Sequence, residues 1–306
     1  MTGALANHLY EQCRYDEAKG LYEALLPIRQ ALGDRKGESF VYNQIALIQD
    51  LRGDYATALA YYEQALPINR ELGDKKGEGT TLNNSSQIYD AQGDYVTALR
   101  YLEQSLHIQQ AIGDKFGEGT TLNNLATTAH AQGDYVTALR YLEQALQILQ
   151  AIGDKSGEGT TLNNLATTAH AQGDYGTALR YLEQALQIRQ AIGDKSGEGT
   201  TLNNISQIYA AQGDYVTALR YLEQSLHIRQ AIGDRAGECT TLFNIGHIHW
   251  QNDEQQHALT AWLTAYRIAK QIGLAQVLQA LEDLAKGLGG EGLDYWEELS
   301  QQVGLE

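Results

Sequence analysis

The sequence predicts an all-α protein, a solenoid of stacked antiparallel helix hairpins, chiefly because it repeats itself. Six consecutive repeats of 40 residues, together covering 33–272, each begin with the dipeptide Gly-Asp. The repeat at 113–152 differs from the repeat at 153–192 at only three positions. A fixed period of about 20 to 50 residues is typical of chains in which each repeat is one supersecondary structure packed on its neighbours. We therefore expect one elongated domain over residues 1–306.

Each repeat is predicted to be two helices, as the repeat at 113–152 illustrates. Gly113 can end the preceding helix in the left-handed conformation, and Asp114 can accept hydrogen bonds from the first free amides of the next helix. A second Gly-Asp pair at 133–134 repeats this stop and start. Apolar residues at helical spacing predict the first helix over 120–132 and the second over 135–152.

The two ends of the chain depart from the repeat. Residues 1–32 predict one shorter N-terminal hairpin that precedes the first repeat. Residues 273–306 predict two capping helices, over 274–286 and 293–303, with a glycine-rich connection between them. Terminal elements of a solenoid differ from the interior ones because only one of their faces can be buried.

Composition narrows the range of partners. The formal net charge of −16 opposes binding to phosphate backbones and to anionic lipid, so nucleic acid and membrane partners are not expected. The chain has no run of eighteen apolar residues and no basic segment followed by an apolar run at its start, which predicts a cytoplasmic protein. Cys13 and Cys239 lie in different repeats and predict neither a disulfide framework nor a metal knuckle.

The spacing of large and small residues in each repeat resembles that of the tetratricopeptide repeat. In the repeat at 113–152, the matching positions are Leu122, Leu125, Ala126, Ala129, Gly133, Tyr135, Ala138, Leu142, Ala145 and Leu146. The 40-residue variety is similar to the repeats of Pins-type spindle scaffolds, kinesin light chains and many bacterial multi-repeat proteins. The resemblance implies a right-handed solenoid whose first helices line a concave groove that binds segments of partner proteins.

Asparagine pairs recur on the first helices, at the positions that the resemblance assigns to the groove. The first ladder is Asn43, Asn83, Asn123, Asn163 and Asn203, and the second is Asn84, Asn124, Asn164, Asn204 and Asn244. An amide side chain has both a donor and an acceptor, so it can hold the backbone of a bound peptide without selecting a side chain. The alternative is that one asparagine of each pair bonds the neighbouring hairpin and sets the stacking geometry.

Other predicted groove residues change along the chain. Thr127 and Thr167 lie beside the asparagines. The last turns of successive first helices carry Glu11, Asp50, Asp90, His130 and His170, whereas Phe243, His247 and Trp250 enrich the last repeat. An acidic end suits a Lys or Arg side chain, and an aromatic end suits an apolar anchor. The alternatives are that the acidic groups are only solvated and that Trp250 belongs to the C-terminal core.

These features predict a scaffold that binds an extended peptide or a helical segment of a partner. Two alternatives remain: a regulatory or sensor module for a separately encoded effector, and a structural protein that assembles into homo-oligomers through the solenoid ends. An enzyme is not expected, because each reactive residue type recurs as a ladder instead of converging with unlike groups. His130 with His170, or His247 with His249, could contribute metal ligands, but no repeat supplies a convincing third and fourth ligand, so no metal or other cofactor is predicted.

Overall fold

The computed structural model describes residues 2–11 and 14–302, and within these it contains sixteen α-helices and no strand. The chain divides into two compact units, Met1–Ile188 and Arg189–Glu306. In chain order the helices are α1 (Thr2–Glu11), α2 (Tyr15–Ala31), α3 (Arg35–Leu51), α4 (Tyr55–Glu71), α5 (Lys75–Ala91), α6 (Tyr95–Ile112), α7 (Lys115–Ala131), α8 (Tyr135–Ile152), α9 (Lys155–Ala171), α10 (Tyr175–Ala191), α11 (Lys195–Ala211), α12 (Tyr215–Ile232), α13 (Arg235–Gln251), α14 (Gln255–Ile272), α15 (Ala275–Gly287) and α16 (Asp294–Gln302). Across the described residues, none of these helices combines the length and the apolar character needed to cross a bilayer.

The Gly-Asp pairs separate the helices as predicted. Gly113 has a φ of 70°, and the Asp114 side chain accepts a hydrogen bond from the Gly117 amide at 3.0 Å. The second pair works in the same way, since the Asp134 side chain accepts from the Thr137 amide, also at 3.0 Å. Because Asp114 caps the helix directly, α7 begins at Lys115 and not at residue 120, where the apolar spacing places its start.

The core of the first unit joins each hairpin to the next, which confirms the predicted fold class. Leu142 on α8 is almost fully buried and packs in one cluster with Leu162 and Leu165 of the following first helix. Small residues of α8, such as Ala138 and Ala145, are fully buried where two helices approach closely. Each buried leucine contributes about 1.5 to 3 kcal/mol relative to an exposed one. One hairpin therefore depends on its neighbour for burial.

In the second unit, the C-terminal helices cover the last repeat. Trp262 of α14 and Trp296 of α16 are both fully buried and meet edge to face, with ring centroids 6.3 Å apart. The Trp296 indole donates a hydrogen bond to the Leu281 carbonyl of α15 at 2.8 Å. The two predicted capping helices are therefore present, with bounds within a residue of those expected; residue Val303 lies outside the described residues. That residues 1–306 form one continuous solenoid stays a prediction.

Cys239 behaves as a small buried apolar residue. Its side chain is fully buried in the second unit, and burial raises the pKa of the thiol to about 12. A thiol with so high a pKa is a poor nucleophile and a poor metal ligand at neutral pH. Cys13 lies outside the described residues.

Candidate functional site

The first asparagine ladder is part of the packing between hairpins. Its members from Asn83 to Asn203 are only 5 to 7% exposed. In the first unit, the Asn123 amide donates to the Gly119 carbonyl at 3.1 Å and to Thr161 Oγ1 of the next first helix at 2.9 Å. Asn83 of the preceding repeat has the same role, since its Oδ1 accepts a hydrogen bond from Thr121 Oγ1 of the next first helix at 3.1 Å. This ladder therefore has the structural role that the sequence left open for one asparagine of each pair.

The second ladder is half-buried and only partly used by the fold. Asn124 Nδ2 donates to Asn83 Oδ1 at 3.0 Å, and Asn164 Nδ2 donates to Asn123 Oδ1 at 3.2 Å. Each of these bonds uses one of the two amide hydrogens, so the second hydrogen and Oδ1 can serve a ligand. The residues of this ladder are Asn84, Asn124 and Asn164 in the first unit and Asn204 and Asn244 in the second. The prediction of peptide contacts shifts from the first ladder to this one, and the spare amide groups of Asn124 and Asn164 favour such contacts there.

Two equivalent pockets open on the first unit, one repeat apart, on the face formed by its first helices α5, α7 and α9. We call this surface the first-helix face. The first, the Asp90 pocket, has a volume of about 480 Å³ including space open to solvent and is lined by Ser86, Gln87, Asp90, Ala91, Leu102, Asn124, Thr127 and Thr128. The second, the His130 pocket, has a volume of about 330 Å³ on the same basis and is lined by Ala126, Thr127, His130, Leu142, Asn164, Thr167 and Thr168. Both combine one leucine with an asparagine of the second ladder and with threonines.

Each pocket contains a polar atom that the fold leaves unpaired. Asp90 Oδ1 and His130 Nδ1 are both shielded from solvent, and neither has a hydrogen-bond partner among the described residues. An unsatisfied buried polar group costs about 1 to 3 kcal/mol. A ligand that supplied a cation beside Asp90 or a hydrogen-bonding group beside His130 would remove part of that cost. The structure thus brings Asp90, Thr127 and Asn124 together in one pocket, and His130, Thr127 and Asn164 in the other.

The histidines of this face are held neutral. Burial lowers the pKa of His130, and it also lowers the pKa of His170, because a charged imidazole loses hydration there. The His130 ring packs against Tyr135 with centroids 5.1 Å apart, and His170 packs against Tyr175 at 5.6 Å. At neutral pH these side chains offer one donor and one acceptor each.

We expect the double variant His130→Ala and His170→Ala to lose less stability in mild acid than the wild-type chain. Both pKa values lie below those of the unfolded chain, so the unfolded chain takes up protons first as the pH falls below about 6.5. The free energy of unfolding that these two histidines contribute is therefore fully present above that pH and decreases as the pH falls below it. Denaturant unfolding at about pH 7.5 and about pH 5.5 measures the difference. The exposed His107→Ala is the control, and an unchanged pH dependence in the double variant would contradict the prediction.

Two side chains fill the positions at which the pockets have leucine. Tyr62 in the first unit and Trp262 in the second are equivalent to Leu102 and Leu142, and both are almost fully buried. Burial among Ala46, Ala58 and Ile88 raises the pKa of the Tyr62 phenol. This position is not among the residues predicted from sequence, although aligning the repeats shows the change from leucine to an aromatic residue.

The remaining residues that the sequence predicts for the groove differ in their burial and contacts. His247 is half-buried, and its Nδ1 lies 3.2 Å from Trp262 Nε1 and 2.9 Å from the Phe243 carbonyl, so it supports the buried indole. Trp250 is 38% exposed, which excludes the alternative that it is a core residue. Thr127 and Thr167 are exposed at the pocket rims. Asp50 is half-buried, and burial raises its pKa, whereas the Glu11 side chain lies outside the described residues.

Comparison with known families identifies the chain. The model of the tetratricopeptide repeat matches residues 1–71, 51–111, 117–191 and 197–271. The chain therefore belongs to the tetratricopeptide repeat family. The comparison with curated proteins gives no match.

Several solved structures share this fold. BtubC (BKLC) from P. vanneervenii is 24% identical, with 76% of this chain and 91% of that chain covered and a TM-score of 0.55. A Rap protein complexed with competence and sporulation factor is 13% identical, with 98% and 92% covered and a TM-score of 0.67. NprR in complex with its cognate peptide NprX is 15% identical, with 99% and 86% covered and a TM-score of 0.65. At these identities the likeness establishes the fold alone.

Proposed function

We propose that this protein is an interaction scaffold that binds an extended peptide segment of a partner protein on the first-helix face. One observation carries the proposal: the Asp90 and His130 pockets are equivalent and lie one repeat apart on the same face. A pair of matched pockets suits a ligand that is itself a chain with regularly spaced side chains. An extended peptide has that property.

The chemistry of the pockets indicates how such a peptide would be held. Leu102 and Leu142 provide apolar surface for anchoring side chains, while Asn124 and Asn164 can bond the peptide backbone. The half-buried Asp90 carboxylate, whose Oδ1 is shielded from solvent and unpaired, favours a Lys or Arg side chain because an opposite charge compensates the lost hydration. A neutral His130 favours a side chain that can donate or accept a hydrogen bond.

The charge of the whole chain supports a basic or neutral partner segment. A net charge of −16 attracts cationic peptides over distance and raises their rate of association, particularly at low salt. The same field repels nucleic acid and anionic lipid. We therefore propose a protein or peptide partner in preference to either.

Structural relatives supply a precedent for peptide binding on this architecture. The Rap protein is complexed with competence and sporulation factor, and NprR is complexed with its cognate peptide NprX. Those ligands belong to those proteins, and shared fold is an analogy only. The precedent supports peptide binding here, whereas the identity of the peptide depends on the pocket residues of this chain.

A catalytic role is not proposed. Asp90 is the one ionisable residue that lines its pocket, and His130 is the one that lines the other. A catalytic site needs unlike reactive groups in mutual contact, such as a nucleophile with a base. The regulatory and self-assembling alternatives stay predictions. A mass that stays monomeric at all concentrations would rule out self-assembly.

One repeat of the protein already has the residue needed for a test variant. Because Tyr62 fills the position that Leu102 and Leu142 occupy, Leu102→Tyr and Leu142→Tyr should place a phenol in each pocket with little damage to the fold. Gln144→Tyr is the matched control, since it adds the same ring to an exposed position of α8. Peptides would be selected on the wild-type protein from a displayed random library, and thermal midpoints of all variants would be compared.

We expect selected peptides to be enriched in Lys or Arg and to lose at least about tenfold in affinity, or about 1.4 kcal/mol, with the pocket-filled double variant. Affinity for Gln144→Tyr should equal that for the wild type. Isothermal titration with synthetic copies of the peptides provides the measurement. Equal affinity for the pocket-filled variant, at an unchanged thermal midpoint, would refute binding in the pockets.

A further inference from the structure

One helix junction in the second unit departs from every other repeat. Where the repeat at 113–152 has Gly133 followed by the capping Asp134, the last repeat has Asp253 followed by Glu254. Asp253 has a φ of 60° and is the one non-glycine residue with a positive φ in the part of the chain that the structure describes. Glu254 precedes α14 but makes no side-chain cap. The junction has therefore lost both of its usual structural residues.

The Glu254 carboxylate bonds His249 and lies close to His257 instead of capping the helix. Its Oε2 lies 2.5 Å from His249 Nδ1 and 3.7 Å from His257 Nδ1. Candidate ligand atoms of the three residues all lie within 4.8 Å of one another. Asn252 donates to the other carboxylate oxygen of Glu254 at 2.8 Å and so orients it.

The fold does not require these three residues. At the positions of His249, Glu254 and His257, the repeat at 113–152 has Ala129, Asp134 and Thr137, and the repeat at 153–192 has the same three residue types. Those residues cap and pack the junction without any histidine. The three residues that differ from the other repeats therefore lie together, and the junction has lost its helix cap.

We propose that His249, Glu254 and His257 bind a divalent transition-metal ion of the zinc class. Two imidazoles and one carboxylate are a ligand set that suits zinc, with water or a partner group completing the tetrahedron. Magnesium and calcium are disfavoured because they prefer oxygen ligands alone. Asn252 donates a hydrogen bond to one oxygen of Glu254, and such outer-shell bonds commonly orient metal ligands.

The geometry allows the ion to enter with small movements. The His257 side chain is 73% exposed and can turn, while His249 is 20% exposed and is already held against Glu254. Without metal, His249 and Glu254 share a hydrogen bond, and His257 Nδ1 lies 3.7 Å from the same carboxylate oxygen. Zinc would displace the Nδ1 proton of that bond to solvent and form one coordinate bond of about 2.0 to 2.2 Å to each of the two residues. Helical spacing alone does not bring Glu254 and His257 to His249, because both residues lie beyond the end of α13.

The test uses variants that restore the internal consensus and so retain the fold. His249→Ala, Glu254→Asp and His257→Thr would be combined, and His257→Thr would also be made alone. His227→Ala, which removes an exposed histidine elsewhere in the second unit, is the control. Zinc chloride would be titrated calorimetrically into each full-length protein after dialysis against a chelator, with magnesium chloride in parallel. Thermal midpoints would be recorded with and without zinc.

We expect the wild type to bind about one zinc ion per chain and to melt at a higher temperature with zinc, by mass action. His257→Thr should weaken binding at least about tenfold, the loss seen even for outer-shell partners. The triple variant should show no midpoint shift, and His227→Ala should match the wild type. Wild-type protein that fails to bind zinc, or a triple variant that binds it equally well, would overturn the proposal.

Discussion

Gly246→Ala is expected to destabilise the second unit by about 2 to 3 kcal/mol, although every other repeat has Ala or Ser at this position. The reason is Trp262, whose indole lies directly against Gly246 where the middle repeats have leucine. A methyl group on residue 246 would overlap the indole ring. The ring cannot withdraw, since it is fully buried and its Nε1 donates to the Phe243 carbonyl at 3.0 Å.

A double-mutant cycle separates this explanation from a general intolerance of change. Trp262→Leu leaves a cavity, but leucine retains part of the side-chain volume. Its cost should therefore not exceed the roughly 3 to 5 kcal/mol that is typical of Trp→Ala in a core. In that background, Gly246→Ala restores the Ala and Leu pairing of Ala126 and Leu142 and should cost almost nothing. Denaturant unfolding followed by circular dichroism gives the four free energies. An equal cost of Gly246→Ala in both backgrounds would show that Trp262 is not the cause.

Asn123→Ala is expected to cost about 2 to 3 kcal/mol, because it leaves buried partners unsatisfied. Asn123 donates to Gly119 and Thr161 and accepts from Asn164, and these bonds link two successive first helices. Alanine replaces none of them. Equilibrium unfolding in denaturant measures the loss in the full-length protein.

Asn124→Ala is the matched control for the first ladder. Asn124 is half-buried and makes one side-chain bond, to Asn83, so its loss should cost only about 1 kcal/mol. Its effect on peptide affinity should be the larger one, because it lines the Asp90 pocket. Equal destabilisation by the two substitutions would contradict the assignment of a structural role to the first ladder and a ligand-binding role to the second.

The fold could be predicted from sequence because the period and the Gly-Asp pairs are local signals. Gly113 and Asp114 carry out the expected roles, and α8 has the predicted bounds. The helix α7 starts earlier than predicted because residues 115–119, Lys-Phe-Gly-Glu-Gly, have no apolar residues at helical spacing. Those residues include the buried Glu118, which pairs with Lys115 at 2.6 Å.

The candidate site could be predicted only in outline. Spacing places both asparagines of a pair on a first helix, but a rotation of about 100° per residue makes one buried and the other accessible. The pockets depend on the side chain that the second helix contributes, Leu142 or its aromatic counterparts, which is a tertiary effect. The cluster of His249, Glu254 and His257 likewise forms only when the junction after α13 turns back.

Photo-crosslinking of a selected peptide tests the central claim most directly, because it reports where the peptide lies. Thr127 is the natural position for the photoreactive residue, since it is exposed and lines both the Asp90 and the His130 pockets. Gln144, exposed on α8, is the comparison position. The account predicts a saturable crosslink from position 127 that unlabelled peptide suppresses, and none from position 144. A crosslink from position 144 alone, or equal crosslinks from both, would contradict binding on the first-helix face.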